Sequence, residues 1–81
     1  MKRMQVHVKL YSRLRDQLPP EARGEATIEL RHRATVDELL DQLGVTRRVK
    51  VINVNGRQET NRDHVLNHGD RVRIFPFVVG G

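Results

Sequence analysis

Cysteine is absent from these 81 residues. That excludes disulfide staples, thiolate catalysis and cysteine-based metal sites, so any sulfur chemistry must use sulfur supplied by another molecule. Long apolar runs are missing too. None approaches the ~20 residues of a membrane span, and Met1-Lys2-Arg3 leads straight into a strand-like pattern, so the chain is expected to be soluble and cytosolic. Aromatics are limited to Tyr11, Phe75 and Phe77, too few for a base-stacking platform. There is no glycine-rich phosphate loop and no Ser/His/Asp arrangement, which makes an independent enzyme a poor expectation. The length fits one domain with a thin stability margin, because even a domain of ~60 residues buries only about 60% of its unfolded surface.

Charge is plentiful. Fifteen Lys and Arg against ten Asp and Glu give a formal net charge of +5. Such a balance favours acidic partners, whether protein, nucleic acid or membrane surface. Arg47-Arg48 and Arg13/Arg15 are the only local concentrations. A solvated arginine-rich surface is the simplest account, and a nucleic-acid site ranks behind it.

Met4, Val6, Val8 and Leu10 alternate with Gln5, His7, Lys9 and Tyr11, the pattern of a strand with one face on a core. Ser12 to Leu18 follows as a short helix, with Ser12 available as N-cap, Leu14/Leu18 at i, i+4 spacing and Pro19-Pro20 as the stop. Ala26, Ile28 and Leu30 alternate again as a second strand. Thr35-Val36-Asp37-Glu38 is a capping box, and Val36, Leu39, Leu40 and Leu43 form one apolar helical stripe closed by Gly44. Val49 to Val54 is β-rich, with its inward face ambiguous because Val51 and Ile52 are adjacent. Asn55-Gly56 is a hairpin signal of type I′, with Arg57-Gln58-Glu59 as a short return strand. Thr60 to His68 is expected to hold a turn of helix pinned by Val65 and Leu66. Gly69-Asp70 then turns into a last alternating strand, Arg71 to Phe75. One helix on one face of a mixed sheet buries these stripes, and the first and last strands belong side by side at its centre.

The last seven residues, Phe75-Pro76-Phe77-Val78-Val79-Gly80-Gly81, stand apart. Pro76 cannot donate to a sheet ladder and marks the end of regular pairing. Beyond it, Phe77 to Gly81 could extend roughly 17 Å. Glycine at ~7% of average sequence gives a chance Gly-Gly pair in about 0.5% of chains. A carboxylate on a side-chain-free arm can thread a narrow channel and present its carbon to an attacking group.

These features resemble the MoaD/ThiS family of ubiquitin-like sulfur carriers. Leu14-Arg15-Asp16 resembles that family's Leu-Arg-Glu element, Thr35-Val36 with Leu39-Leu40 its helix start, and Val54-Asn55-Gly56 its hairpin. Gly69-Asp70-Arg71-Val72, leading to Phe75-Pro76 and Gly80-Gly81, resembles its end. The Leu-Arg-Asp and Phe-Pro elements point to the MoaD branch. The resemblance implies an α+β fold, the ubiquitin-like β-grasp, with four to five strands and one main helix. It divides the chain into a β-grasp domain at 1–76 and a flexible tail at 77–81. It further implies that Gly81 is adenylated and converted to a thiocarboxylate, that Gly80 keeps the arm thin, and that Phe75, Phe77, Val78 and Val79 are recognised by partners. Those partners would be an adenylating enzyme of the MoeB/ThiF type, a sulfur donor protein and an acceptor such as a MoaE-like large subunit making molybdopterin. No cofactor would be held tightly, and ATP would be consumed by the adenylating enzyme. Two features differ from the family pattern: Phe77 stands where a second proline is common, and the chain is basic where many relatives are neutral or acidic.

From the residues alone, Phe75 reads first as a core residue and Phe77 as an interface residue. His64 and His68, four apart with Asp63 nearby, would share a helical face, but a surface pair accounts for them better than a metal site. Asp37 and Asp41 read as solvated helix surface. Other sulfur acceptors (thiamine, cysteine), conjugation of Gly81 to lysines, and a basic RNA-binding module remain open in that order.

Overall fold

The computed structural model describes residues 2–77. Five strands, β1 (Arg3–Leu10), β2 (Glu25–Arg31), β3 (Val49–Val54), β4 (Arg57–Gln58) and β5 (Arg71–Pro76), accompany one helix, α1 (Val36–Leu43). They form a single mixed sheet in the order β2-β1-β5-β3-β4. β1 and β5 run parallel through the middle, as the burial argument requires, and the outer pairings are antiparallel. This is the β-grasp arrangement.

Alternation fixes the two faces. Met4, Val6, Val8 and Leu10 of β1 and Val72 and Ile74 of β5 are buried under α1, against Val36, Leu39, Leu40 and Leu43. Each large side chain so buried stabilises the fold by about 2 kcal/mol. The helix begins at the expected box: the Glu38 amide donates to Thr35 Oγ1 at 3.3 Å, and the Thr35 amide donates to Glu38 Oε2 at 2.7 Å. It ends at Gly44, which takes a left-handed φ of 75°. The hairpin likewise has positive φ at Asn55 (53°) and Gly56 (87°), as type I′ needs. Asn55 then ties it to the start of β5, donating to Asp70 Oδ1 and accepting from the Arg71 amide, both at 2.9 Å.

The ambiguity in β3 is settled by an irregularity. The ladder to β5 shifts between Val49 and Val51, so Val49 faces inward with Ile52 and Val54 despite the odd spacing, and Val51 is left half-buried. An extra residue in one strand does this by turning the chain locally.

Two segments differ from the sequence reading. The expected short helix is present as a 3-10 helix, Ser12–Gln17, but Tyr11 and not Ser12 occupies the capping position and no side chain caps it. Ser12 has φ 55°, outside the extended region that an N-cap serine uses. Thr60 to His68 forms no helix. Asn61 Oδ1 accepts the Asp63 amide at 2.9 Å and Asp70 Oδ2 accepts the Asn67 amide at 2.8 Å, local bonds that compete with helix formation. Val65 instead bridges to Thr35, and Leu66 still plugs the core.

Among the described residues, no helix is long and apolar enough to cross a membrane.

Candidate functional site

Parallel pairing puts the C-terminal ends of β1 and β5 at the same edge of the molecule, and the antiparallel β3 begins there. Three chain segments therefore meet where β5 ends: Tyr11 to Arg13 after β1, Arg47-Arg48 before β3, and Pro76-Phe77. Bonds link them. The Phe77 amide donates to Arg48 O at 3.3 Å, Arg48 Nη2 donates to Arg13 O at 3.4 Å, and the Tyr11 amide donates to Ile74 O at 3.2 Å. Phe77 is 58% exposed, the one exposed large hydrophobic side chain among the described residues. Val78, Val79, Gly80 and Gly81 lie outside the described residues.

Phe75 is not a member of the helix-covered core. By alternation with the buried Val72 and Ile74 it lies on the opposite, uncovered face, half-buried, with its ring stacked on Tyr11 at 4.2 Å between centroids and 15° between planes. Lys9 Nζ sits 5.2 Å from the Tyr11 centroid. The core expectation for Phe75 is thus corrected: a neighbouring aromatic, not the helix, covers it. The uncovered face continues in rows set by strand register. Thr27, His7 and Arg71 form one row, and Glu25, Lys9, Arg73 and Asn53 the next. A shallow groove of about 560 Å³ runs over β2, β1 and β5 between these rows. Its floor is the sheet itself, with no enclosed pair of acid and base. The Asn53 Oδ1 beside Arg73 is shielded from water without a hydrogen-bond partner among the described residues.

Cations stand on the strands and turns that meet where β5 ends, which the sequence did not show. Lys9 and Arg73 come from the central strands, Lys50 from β3, Arg13 from the 3-10 turn, and Arg47 and Arg48 from the turn before β3. All are exposed, and none is in an ion pair among the described residues. Asp16 and Glu25 are the exposed acids of the adjoining turn and strand. The signal was present as two separate basic pairs, Arg13/Arg15 and Arg47-Arg48, but it takes the parallel pairing of β1 and the antiparallel pairing of β3 with β5 to bring them to one edge.

Ion pairs lie elsewhere. Arg31 holds Glu38 through two bonds of 2.7 and 2.8 Å, Arg3 meets Glu29 at 3.4 Å, and Arg62 stands 3.9 Å from Asp37. The Thr35 amide, and after it the Arg31 guanidinium, hold the Glu38 carboxyl below its ordinary value. His64 and His68 do not converge on a metal: His64 Nδ1 lies 3.0 Å from Glu59, and His68 Nδ1 accepts the Gln5 amide at 3.1 Å. Among the described residues no group of three or more potential ligands could hold a metal ion.

The sequence profile described as Mut7-C ubiquitin matches residues 3–79. The chain belongs to that family. It is a MoaD/ThiS-like, ubiquitin-like protein, as the sequence resemblance implied. Its structure is similar to that of a Pyrococcus furiosus protein assigned as molybdopterin converting factor subunit 1, with 30% identity, a TM-score of 0.72, and 93% of this chain and 99% of that one covered. It is also similar to SAMP1 from Haloferax volcanii, at 21% identity and TM-score 0.72 over 95% of this chain and 99% of the other. The small archaeal modifier protein 1 of Methanosarcina acetivorans matches at 19% identity and TM-score 0.70, with both chains fully covered. The last two show shared fold alone. No curated protein sequence matches the chain.

Proposed function

We propose that the protein is a sulfur carrier whose Gly81 carboxylate is adenylated by a ubiquitin-activating-type enzyme and then converted to a thiocarboxylate. The carboxylate oxygen attacks the α-phosphate of ATP and pyrophosphate leaves. The outer sulfur of a persulfide on a donor protein then attacks the acyl carbon and AMP leaves. A second thiol cleaves the resulting acyl disulfide, forming a disulfide with the donor sulfur and releasing the thiocarboxylate. A carboxylate alone is a poor electrophile, and the adenylate supplies the leaving group. Within this reading the acceptor is the large subunit of a molybdopterin synthase-like complex, Gly80 keeps the arm slender, and Val78, Val79 and Phe77 line the partner's channel.

One observation carries the proposal: the Phe-Pro-Phe-Val-Val-Gly-Gly segment leads out of β5, the middle strand of the sheet. A root laced to β1 on one side and β3 on the other stays in place while a partner draws on the segment, which is what delivery of one carbon atom to a remote site requires. The 30% identity to the Pyrococcus furiosus protein over nearly its whole length favours the molybdopterin acceptor. The basic surface and the place of Phe77 after Pro76 leave other acceptors to the experiment.

The test is the intact mass after incubation with ATP, a sulfur donor and the cognate adenylating enzyme. One oxygen should be replaced by one sulfur in the full chain and not after deletion of Gly81, with both proteins melting at the same temperature. An unchanged mass in the full chain, with the enzyme shown active on another carrier, would overturn the proposal. A second reading follows from the same activated carboxyl: attack by a lysine amine would join Gly81 to other proteins. Higher-mass adducts carrying a Gly-Gly remnant would establish it.

A further inference from the structure

Arg3, Arg31 and Arg62 each face a carboxylate of the same chain, while Lys2 and Arg33 at the far end of β1 are in no ion pair among the described residues. Lys9, Arg13, Arg47, Arg48, Lys50 and Arg73 are exposed on the strands and turns that meet where β5 ends, and none of them is in an ion pair among the described residues either. Their attachment is rigid. Lys9 and Arg73 are neighbours in the parallel β1–β5 register, and Arg13 and Arg48 are joined by a hydrogen bond. Beside Arg48, whose carbonyl accepts its amide, stands Phe77, exposed and apolar.

An exposed aromatic beside like charges suits a protein-docking surface: the anchor supplies desolvated contact and the charges supply steering. We propose that this basic collar docks the proteins that take up the terminal segment, and that their channel mouths carry carboxylates around an apolar seat for Phe77. The inference rests on the carrier reading above and adds the chemistry of the partner. A polynucleotide fits the same charge less well. Tyr11 and Phe75 are stacked on each other and Lys9 lies over Tyr11, so those rings are already occupied and Phe77 is the single exposed aromatic for a base to use.

Steady-state adenylation, read as pyrophosphate release against carrier concentration, tests it with the full chain. Arg13→Glu/Arg48→Glu should raise KM about tenfold or more, the scale of electrostatic steering, with kcat kept within about twofold because the segment itself is unaltered. Lys9→Glu/Arg73→Glu is a second, independent pair should the first melt early. Lys2→Glu/Arg33→Glu makes the same charge change at the opposite end of β1, where Lys2 O accepts the His32 amide, and should leave KM at the wild-type value. KM of the wild type should rise with salt. Equal KM increases in collar and control variants, or none in either, would overturn the proposal. So would loss of single-stranded oligonucleotide binding in the collar variants with adenylation kinetics unchanged. If the wild type is not adenylated at all, the carrier reading fails and the docking proposal falls with it, whereas turnover of the wild type with insensitive collar variants sinks the docking proposal alone.

Discussion

Arg31, at one end of β2, and Arg48, beside the root of the terminal segment, are both exposed arginines, yet their surroundings have little in common. Arg31 grips Glu38 through two bonds, and Glu38 in turn closes the cap of α1. Arg48 reaches one backbone carbonyl, Arg13 O, at 3.4 Å. The difference extends beyond the pair. Around the N-terminus of α1, Arg3, Arg31 and Arg62 face carboxylates, the helix is capped and Leu66 seals the margin. Where β5 ends, the cations form no ion pair among the described residues, although Glu25 stands beside Lys9 in the strand register, and the aromatics Tyr11, Phe75 and Phe77 lie outside the core. Surface ion pairs contribute little to stability, about 0–1 kcal/mol each. The pairing is therefore better understood as lowering the charge around Arg3, Arg31 and Arg62 than as strengthening that end, where Lys2 and Arg33 stay unpaired among the described residues.

The comparison breaks most simply if the two ends respond alike to substitution. Leu40→Ala removes a fully buried side chain of α1 and should cost roughly 3 kcal/mol. In a domain of this size that lowers the melting temperature by about 12 °C or more. KM for adenylation, measured well below the transition, should not change. Thermal unfolding followed by circular dichroism, beside the kinetics, checks both. A large KM effect in folded Leu40→Ala protein would mean that packing under α1 sets the docking surface, and the two ends would no longer be separable.

Much of the closed end was legible in the sequence because its signals are local. The capping box at Thr35 and Glu38, Gly44 and the Asn55-Gly56 turn each specify backbone geometry within four residues, and all are observed. The alternation of β1 and β5 was equally plain, and burial alone sufficed to place them together. Illegible features depended on partners distant in sequence. The inward face of β3 follows from a shift in its ladder with β5, and the segment before Gly69 chose side-chain bonds and a bridge to Thr35 over a helix. Phe75 looked like core because hydrophobicity does not say which face of a sheet has a helix on it. The collar was hidden for the same reason: Arg13 and Arg48 are 35 residues apart. Of the candidate site, Phe75 and Phe77 are placed, while Val78, Val79, Gly80 and Gly81 lie outside the described residues.

Gly24 sharpens the contrast from within the open end. It has φ 79°, its carbonyl accepts the Leu10 amide at 2.7 Å, and a Cβ there would stand 2.7 Å from Leu10 O and 2.9 Å from Arg15 Cγ. Gly24→Ala combines left-handed strain with a backbone clash and should cost at least about 2 kcal/mol. Gly56→Ala, with φ 87° and open space around it, should lose only about 1 kcal/mol, from strain alone. Denaturant midpoints at unchanged m-value give the ordering. Equal losses would show that the clash at Gly24 relaxes, and that the turn behind the collar is softer than its bonds indicate.

The smallest expected effect tests whether charge at the closed end is truly consumed. Glu38 has its carboxyl held below the ordinary value, first by the Thr35 amide and then by Arg31. A depressed folded-state value means that ionised Glu38 favours the folded chain above the unfolded value, roughly pH 4.3. That contribution is lost as pH falls through the lower folded value. Glu38→Gln should therefore melt slightly below the wild type at neutral pH. The gap should close as both are acidified, because the wild-type carboxyl then becomes neutral as well. A gap that stays constant from neutral to acid pH would assign the difference to the shape of the cap rather than to its charge. Arg31 would then be as free for a partner as Arg48, and the contrast between the two ends would rest on placement alone.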